Sequence, residues 1–186
     1  MNKVFLLGLF TIILFGCNSS TNNLSDKQIV RNYFGALNQN NLEKASKYVG
    51  DSIVLSEFEF IQTNSKEEWL TQSKWDLAFS PNYKIIEINE IDGSIEASIS
   101  KDCYRIKYLH DTATIYKSLF KIKNGKIQSE HIFEYVVFNF EKWSSRRDSL
   151  VKWIDVNHEY LSGFIYDQTE EGAHNYIKAI DLYSNK

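Results

Sequence analysis

The chain has 186 residues, of which 43% are hydrophobic and 15% aromatic. This apolar content is ample for one packed domain with an appendage. Acidic residues outnumber Lys and Arg by 24 to 21, and the net charge of −3 argues against nucleic acid or an anionic membrane surface as a partner.

The first residues have the layout of a secretion signal. Lys3 precedes an apolar run over residues 4–15, which is shorter than the roughly 20 residues that a membrane-spanning helix needs. The letters Leu-Phe-Gly-Cys, which end at Cys17, resemble a bacterial lipobox. The resemblance implies that residues 1–16 are removed as a lipoprotein signal peptide and that the Sγ atom of Cys17 carries lipid.

Residues 17–24 are predicted to be the lipidated Cys17 and a polar, flexible tether. Attached acyl chains, at about 0.8 kcal/mol for each buried CH₂ group, would hold the protein stably on a membrane. Asn18 stands where retention-type lipoproteins have Asp, and no acidic cluster follows, so we expect the periplasmic face of the outer membrane. The alternative to lipidation is that Cys17 is an ordinary buried cysteine. Cys103 is the remaining, lone thiol, expected to be a buried or half-buried strand residue.

Three capping signals predict helices in the first part of the domain. These signals are residues 25–28, 40–43 and 65–68. The first helix carries Ile29, Tyr33 and Leu37 on one face. The second is short, and Gly50 is expected to end it in the left-handed conformation. The third is stopped by Ser80-Pro81, and a strand is predicted over residues 52–60.

Beyond Pro81 the hydrophobic period changes from 3.6 to 2. Asp92-Gly93 and Asn124-Gly125 are strong hairpin signals, and a third turn is expected near residues 110–112. The predicted strands, joined as an antiparallel meander, are 83–91, 94–109, 113–123 and 126–138. Helices followed by a curved antiparallel sheet predict an α+β fold.

After Phe140 the helical spacing of apolar residues returns. Residues 141–186 are therefore predicted to be a helical hairpin, with residues 167–170 capping its last helix. The hairpin packs either on the domain or on a partner. Packing on the domain is favoured, because an apolar face of this size would otherwise be an exposed patch.

The opening helix-helix-strand segment, residues 29–52, and the hairpin at residues 120–127 resemble the NTF2-like (SnoaL-like) superfamily. The resemblance covers residues 25–138, and the domain is assigned to residues 25–140. The resemblance implies a cone-shaped domain, in which a bent sheet wraps around a long helix and a pocket opens at one end. The superfamily includes isomerases, cyclases, dehydratases and proteins without catalysis, so the fold alone does not decide function.

Ketosteroid isomerase-like members of this superfamily use a Tyr on the first helix, a carboxylate base on the first strand and a protonated acid on a later strand. Tyr33 and Glu57 match the first two by position, whereas residues 116–119, in the third region, contain no acid. Glu57 would remove a proton next to a carbonyl while the Tyr33 hydroxyl stabilises the developing oxyanion. The alternative is that Tyr33 is a core residue and Glu57 points to water.

His131 is predicted to lie on the last strand in phase with Ser129, Phe133 and Tyr135. It is a candidate acid, base or hydrogen-bond donor, and the alternative is a partly buried His satisfied by a neighbour. The predicted pocket residues are Tyr33, Glu57, Trp69, Tyr116, His131 and Tyr135. No motif or spacing predicts a metal ion or another cofactor.

The expected function is therefore that of a lipid-anchored envelope protein whose NTF2-like domain binds a small hydrophobic ligand or a partner protein without catalysis. One alternative is a SnoaL-like isomerase or hydrolase that uses Tyr33, Glu57 and His131. The other is a subunit of an envelope assembly, or a homodimer, formed through the C-terminal helices.

Overall fold

The computed structural model describes residues 24–186. The predicted signal peptide, the lipidation residue Cys17 and the tether up to residue 23 lie outside the described residues. Within the described range, none of the helices has the length and the apolar character needed to cross a membrane.

The described residues form an α+β fold, which confirms the predicted class. The helices are α1 (Asp26–Asn38), α2 (Leu42–Ser46), α3 (Lys66–Ala78), α4 (Tyr104–His110), α5 (Phe140–Asn157) and α6 (Glu170–Ser184), with a 3-10 helix at Glu159–Leu161. The strands are β1 (Val49–Glu57), β2 (Phe60–Thr63), β3 (Asn82–Ile91), β4 (Ser94–Asp102), β5 (Thr114–Lys123) and β6 (Lys126–Val137).

The strands form one mixed sheet in the order β2-β1-β6-β5-β4-β3. Strands β3 to β6 are the predicted antiparallel meander, and β1 joins it by pairing parallel to β6. Both predicted hairpin turns have positive φ at their two central residues, 50° and 73° at Asp92-Gly93 and 53° and 73° at Asn124-Gly125. Asn-Gly and Asp-Gly pairs adopt this conformation easily, which fixes the register of the two hairpins.

The predicted strand over residues 94–109 is wrong in its second half, because residues 104–110 form α4. Cys103 is not a strand residue. Its Sγ atom accepts the Ile106 N–H at 3.4 Å and caps the helix. Ile106 and Leu109 are then buried on the same side of α4, with 3% and 0% of their surface exposed. Tertiary packing decides the conformation of this segment over its strand-like composition.

The expected role of Gly50 is also wrong. Helix α2 ends at Ser46, and Gly50 lies inside β1. A Cβ atom on Gly50 would lie 2.7 Å from the amide end of the Gln128 side chain on the neighbouring strand β6, so a larger residue at this position would require that side chain to move. The cap of α2 is shifted by one residue from the predicted box, because it is Asn41 whose Oδ1 accepts the Lys44 N–H at 2.8 Å.

The apolar side chains form two clusters. The first core lies between α1, α3 and the sheet, and its fully buried members include Val30, Ile53, Trp69, Ile99 and Phe120. The second core lies between the end of α3, α4, α5 and α6, and includes Phe79, Leu109, Leu150, Ile154 and Ile180. The C-terminal helices therefore bury apolar side chains against α3 and α4 of the same chain.

Candidate functional site

A cavity of about 820 Å³ opens between the sheet, α1, α3 and the C-terminal segment. Its volume lies in the range of small-molecule binding pockets. The walls include side chains from both ends of the chain, such as Phe34 on α1 and Trp143 on α5. One end is buried, whereas the rim residues Phe58, Ile61 and Phe140 are 45%, 67% and 69% exposed. The cavity thus connects a buried end with an apolar rim in contact with solvent.

Glu130 on β6 is the central acid of the buried end. It is 9% exposed, and its Oε1 accepts a hydrogen bond from the Ser118 hydroxyl at 3.2 Å. Burial raises the pKa of the Glu130 carboxyl to about 7, against the lowering effects of Ser118 and of the charge of Lys101. Near neutral pH the carboxyl therefore exchanges between its acid and carboxylate forms, as a group that donates and accepts protons must do.

Tyr33 on α1 and Tyr116 on β5 line the same end of the cavity. The Tyr33 hydroxyl accepts a hydrogen bond from the indole N–H of Trp69 at 3.1 Å, so its own proton remains available to a ligand. Burial, and then the charge of Glu130, raise the pKa of both phenols well above the ordinary value. Both hydroxyls therefore stay protonated at neutral pH and each keeps a proton that it can donate.

Asp76, Lys101 and Tyr83 form a paired polar cluster on the cavity wall. One oxygen of Asp76 accepts from the Lys101 ammonium at 2.5 Å, and the other accepts from the Tyr83 hydroxyl. Burial alone would raise the pKa of Asp76, but the charge and hydrogen bond of Lys101, the hydroxyl of Tyr83 and the charge of Arg105 together lower it. Both Asp76 oxygens are therefore occupied within the protein.

Glu57, at the end of β1, also lines the cavity. Its Oε1 accepts from the Tyr135 hydroxyl at 2.8 Å, and its Oε2 accepts from the Gln62 amide at 2.7 Å. Burial and the neighbouring Glu57 raise the pKa of Tyr135. Glu57 is thus oriented by two hydrogen bonds, and a ligand that used either oxygen would share it with a protein donor.

The structure brings four of the six predicted pocket residues to the cavity. Tyr33, Glu57, Tyr116 and Tyr135 line it, and Trp69 and His131 do not. Trp69 is fully buried behind Tyr33, where its N–H positions the phenol.

His131 points away from the cavity face of β6, and its Nδ1 lies 2.9 Å from the Ser56 hydroxyl. The expectation that Trp69 and His131 line the pocket therefore differs from the structure. Their predicted roles in binding or catalysis would have to be indirect.

A β-bulge in β6 explains why His131 does not line the cavity and why the sequence pattern did not predict Glu130 as a cavity residue. Strict alternation predicts that His131 and Tyr135 share one face. In β6, however, Ile132 pairs with Ser118 and Glu134 pairs with Lys117, so Phe133 has no partner. The extra residue changes the phase of the strand, and Glu130 and Tyr135 both reach the cavity. Ser118 lies in the segment where ketosteroid isomerase-like proteins were expected to have an acid, and it hydrogen-bonds instead to Glu130 on the next strand.

Besides Lys101, two further basic residues outside the predicted pocket set line the cavity. Arg105 was assigned to the strand that proved to be α4, and it lines the cavity beside Trp75 and Trp143. Arg147 on α5 reaches the cavity as well, while it pairs with Asp148 at 2.8 Å. Within residues 24–186, His, Cys, Asp and Glu side chains do not gather in threes that could hold a metal ion.

The sequence matches no family model and no curated protein. Among solved structures, an NTF2-like protein of unknown function from Cytophaga hutchinsonii aligns with a TM-score of 0.51 and 13% identity, over 62% of this chain and 93% of that one. A putative polyketide cyclase from Sinorhizobium meliloti aligns with a TM-score of 0.50 and 17% identity, over 57% and 94%. An epoxide hydrolase/cyclase-like enzyme of pyran ring formation in salinomycin aligns with a TM-score of 0.51 and 13% identity, over 59% and 88%.

These similarities show that the chain has the NTF2-like fold, which confirms the predicted architecture. The neighbours include an uncharacterised protein and cyclase-type proteins, so they do not assign a specific function. The three alignments cover at most 62% of this chain.

Proposed function

We propose that the protein binds a small, largely apolar molecule in the cavity and does not transform it. The observation that carries this proposal is the cavity itself, since it combines aromatic walls with a few buried polar groups, as ligand pockets do. The carboxylates of Glu57 and Asp76 favour binding over catalysis, because each has both oxygens occupied by protein donors. The hydroxyls of Tyr33 and Tyr116 are available to orient a ligand.

The test is to fill the cavity without disturbing the fold. Ser73 on α3 lines the cavity, whereas Thr71 on the same helix is exposed and does not. The probe is dansylglycinamide, a small neutral fluorophore that brightens when it leaves water. We expect Ser73→Trp to lower the protein's affinity for dansylglycinamide at least about tenfold, because the new indole occupies the space of the ligand. Thr71→Trp should leave this affinity unchanged. Equal binding by the wild-type chain and Ser73→Trp would contradict the proposal.

The second part of the proposal is that Cys17 is lipidated and holds the domain at the periplasmic face of the outer membrane. The lipobox-like residues support it, and the exposed apolar rim of the cavity is suited to ligands that partition into membranes. Cys17→Ser should yield a protein that is either unprocessed or soluble and mislocalised. Unchanged membrane fractionation and an unchanged mature mass in this variant would contradict the anchor.

A second candidate function is acid-base catalysis, as in an isomerase or hydrolase acting on a small hydrophobic substrate. The observation that favours it is the Glu130 carboxyl, whose pKa of about 7 suits proton transfer at neutral pH, beside the protonated phenols of Tyr33 and Tyr116.

Cyclohex-3-enone, whose conversion to the conjugated ketone is followed by ultraviolet absorbance, tests this function. An enzyme would lose about 10²- to 10⁴-fold in rate on Glu130→Gln while it still binds the ketone. A rate equal to that without protein would instead support binding alone for this class of substrate.

A further inference from the structure

Arg105 is a basic residue without a carboxylate partner at the wall of the cavity. Its side chain lines the cavity, and its Nε atom is buried without a hydrogen-bond partner in the described part of the chain. The ion pairs within residues 24–186 do not include Arg105. A buried guanidinium N–H without an acceptor is uncommon in proteins and calls for an explanation.

Aromatic rings hold the guanidinium in place. Its Cζ atom lies 4.7 Å from the ring centre of Trp75 on α3 and 5.3 Å from that of Trp143 on α5. Phe79 and Tyr176 are also within cation-π distance, at 5.6 and 6.0 Å. These contacts stabilise the positive charge and fix the plane of the side chain. They do not supply the oxygen acceptors that the N–H groups require.

Within residues 24–186, the neighbouring acids do not accept a hydrogen bond from Arg105 and form no ion pair with it. Asp76 is close enough for the charge of Arg105 to lower its pKa, but its two oxygens bind Lys101 and Tyr83. Of the three cationic side chains that line the cavity, Lys101 pairs with Asp76 and Arg147 pairs with Asp148. Arg105 is therefore the cavity cation that lacks an anionic partner among the described residues.

Trp75, beside Arg105, also carries a buried donor without an acceptor in the described part of the chain. The indole N–H of Trp75, another cavity residue, is buried without an acceptor in residues 24–186. The Arg105 guanidinium lies against this indole ring. Two neighbouring residues of the cavity wall thus each carry a donor without an acceptor among the described residues, and an anionic group is the kind of partner that suits both donors.

We propose that Arg105, with the indole N–H of Trp75, binds the carboxylate of an organic acid whose apolar body lies in the cavity. This proposal rests on the proposed binding function and names the chemical class of its ligand. A carboxylate fits the guanidinium because its two oxygens match two parallel N–H donors. The aromatic walls contact the apolar body, and the phenols of Tyr33 and Tyr116 can donate to a carbonyl or hydroxyl group at its far end.

The test uses two probes of nearly the same shape. Dansylglycine carries a carboxylate, and dansylglycinamide carries the uncharged amide in its place. Both are titrated by fluorescence into the full chain, as the wild type and as Arg105→Gln, Arg105→Lys and Arg31→Gln. Arg31 is exposed on α1 and controls for loss of one positive charge. Any uptake by detergent or lipid is the same for all proteins and cancels in their ratios.

We expect the wild type to bind dansylglycine at least about fivefold more tightly than the amide. Arg105→Gln should lower the affinity for dansylglycine about tenfold or more and change that for the amide less than about twofold. Arg105→Lys, which keeps the charge but loses the fork of donors, should retain part of the preference. Arg31→Gln should behave as the wild type.

Equal affinities of the wild type for the two probes would overturn the proposal, and so would an equal loss of both affinities in Arg105→Gln that folds normally. If Arg105→Gln does not fold, the wild-type preference and its reduction in Arg105→Lys decide the question. Binding of neither probe to the wild type would overturn the proposed binding function as well. Binding of both with no preference would overturn the carboxylate site alone.

Discussion

The two hydrophobic cores differ in how their polar groups are satisfied. In the first core, Tyr33 is hydrogen-bonded to Trp69 and Glu130 to Ser118. Where the second core meets the first, the donors of Arg105 and Trp75 are buried and unpaired among the described residues. Of the six unpaired buried polar atoms found in residues 24–186, three belong to the cavity residues Gln72, Trp75 and Arg105. The comparison indicates that unpaired groups concentrate where a ligand can supply their partners.

The two cores are joined through α3. Its side chains Trp69 and Leu77 lie in the first core, and Phe79, which follows its last turn, lies in the second. The first core is built from the elements typical of the NTF2-like fold, and the second depends on α5 and α6. The C-terminal helices thus complete a core, and α5 also contributes Trp143 and Arg147 to one side of the cavity.

The largest expected effect comes from removing the second core. Truncation after Phe140 deletes α5 and α6 and exposes Phe79 and Leu109, which are fully buried in the complete chain. Burial of each large apolar side chain is worth about 1.5–3 kcal/mol, so the loss amounts to several kcal/mol. We expect the melting temperature to fall by about ten degrees or more, or the protein to aggregate.

Circular dichroism on heating measures this change. Removal of Asn185 and Lys186 alone is the matched control, because both residues are exposed at the end of the chain. A normal melt of the long truncation would mean that the first core is stable alone, and that the C-terminal helices serve another purpose.

A smaller effect is expected from the buried acid of the first core. The pKa of Glu130 is raised from 4.5 to about 7, so the folded state holds the proton more tightly than the unfolded state. The contribution of the protonated acid to stability is complete below about pH 4.5 and is lost as the pH rises to about 7. Since a tenfold change in proton affinity is worth about 1.4 kcal/mol, the loss is on the order of 3 kcal/mol.

Urea denaturation at pH 4.5, 6 and 8 measures this loss, and Glu130→Gln is the comparison. The amide does not titrate, so the variant should lose about 3 kcal/mol less than the wild type between the lowest and highest pH. Parallel pH profiles of the two proteins would show that Glu130 does not titrate in this range.

Local sequence signals predict most of the helices and both hairpins of the fold. Helix caps such as Ser25 and Ser65, and turns such as Asn124-Gly125, act over a few residues and can be recognised from sequence. The α4 segment could not be recognised, because its conformation depends on burial of Ile106 and Leu109 against helices far along the chain.

The site was predictable only in part, for a related reason. Tyr33 and Glu57 follow from regular elements and from the resemblance to the NTF2-like superfamily. Glu130 depends on a bulge at Phe133 that changes the phase of β6, and no residue type marks that bulge. Arg105 reaches the cavity only because α4 is a helix, so one wrong element hid the residue on which the carboxylate site depends.

The smallest expected effect is that of Glu57→Gln, a variant for which a binding protein and an enzyme should give different results. Glu57→Gln keeps the shape of the side chain, and the new amide oxygen can still accept the hydrogen bond from Tyr135. A binding protein should therefore change its affinity for dansylglycinamide less than about threefold, and its melting temperature by only a degree or two.

An enzyme that used Glu57 as its base would instead lose orders of magnitude in the rate of cyclohex-3-enone isomerisation, with little change in binding. Ser73→Trp is the positive control, since it blocks binding and catalysis together. A loss of affinity above about tenfold, without a change in melting temperature, would mean that the ligand itself requires the negative charge of Glu57. The ligand would then carry a donor or a cationic group at this end of the cavity, opposite in character to the carboxylate proposed at Arg105.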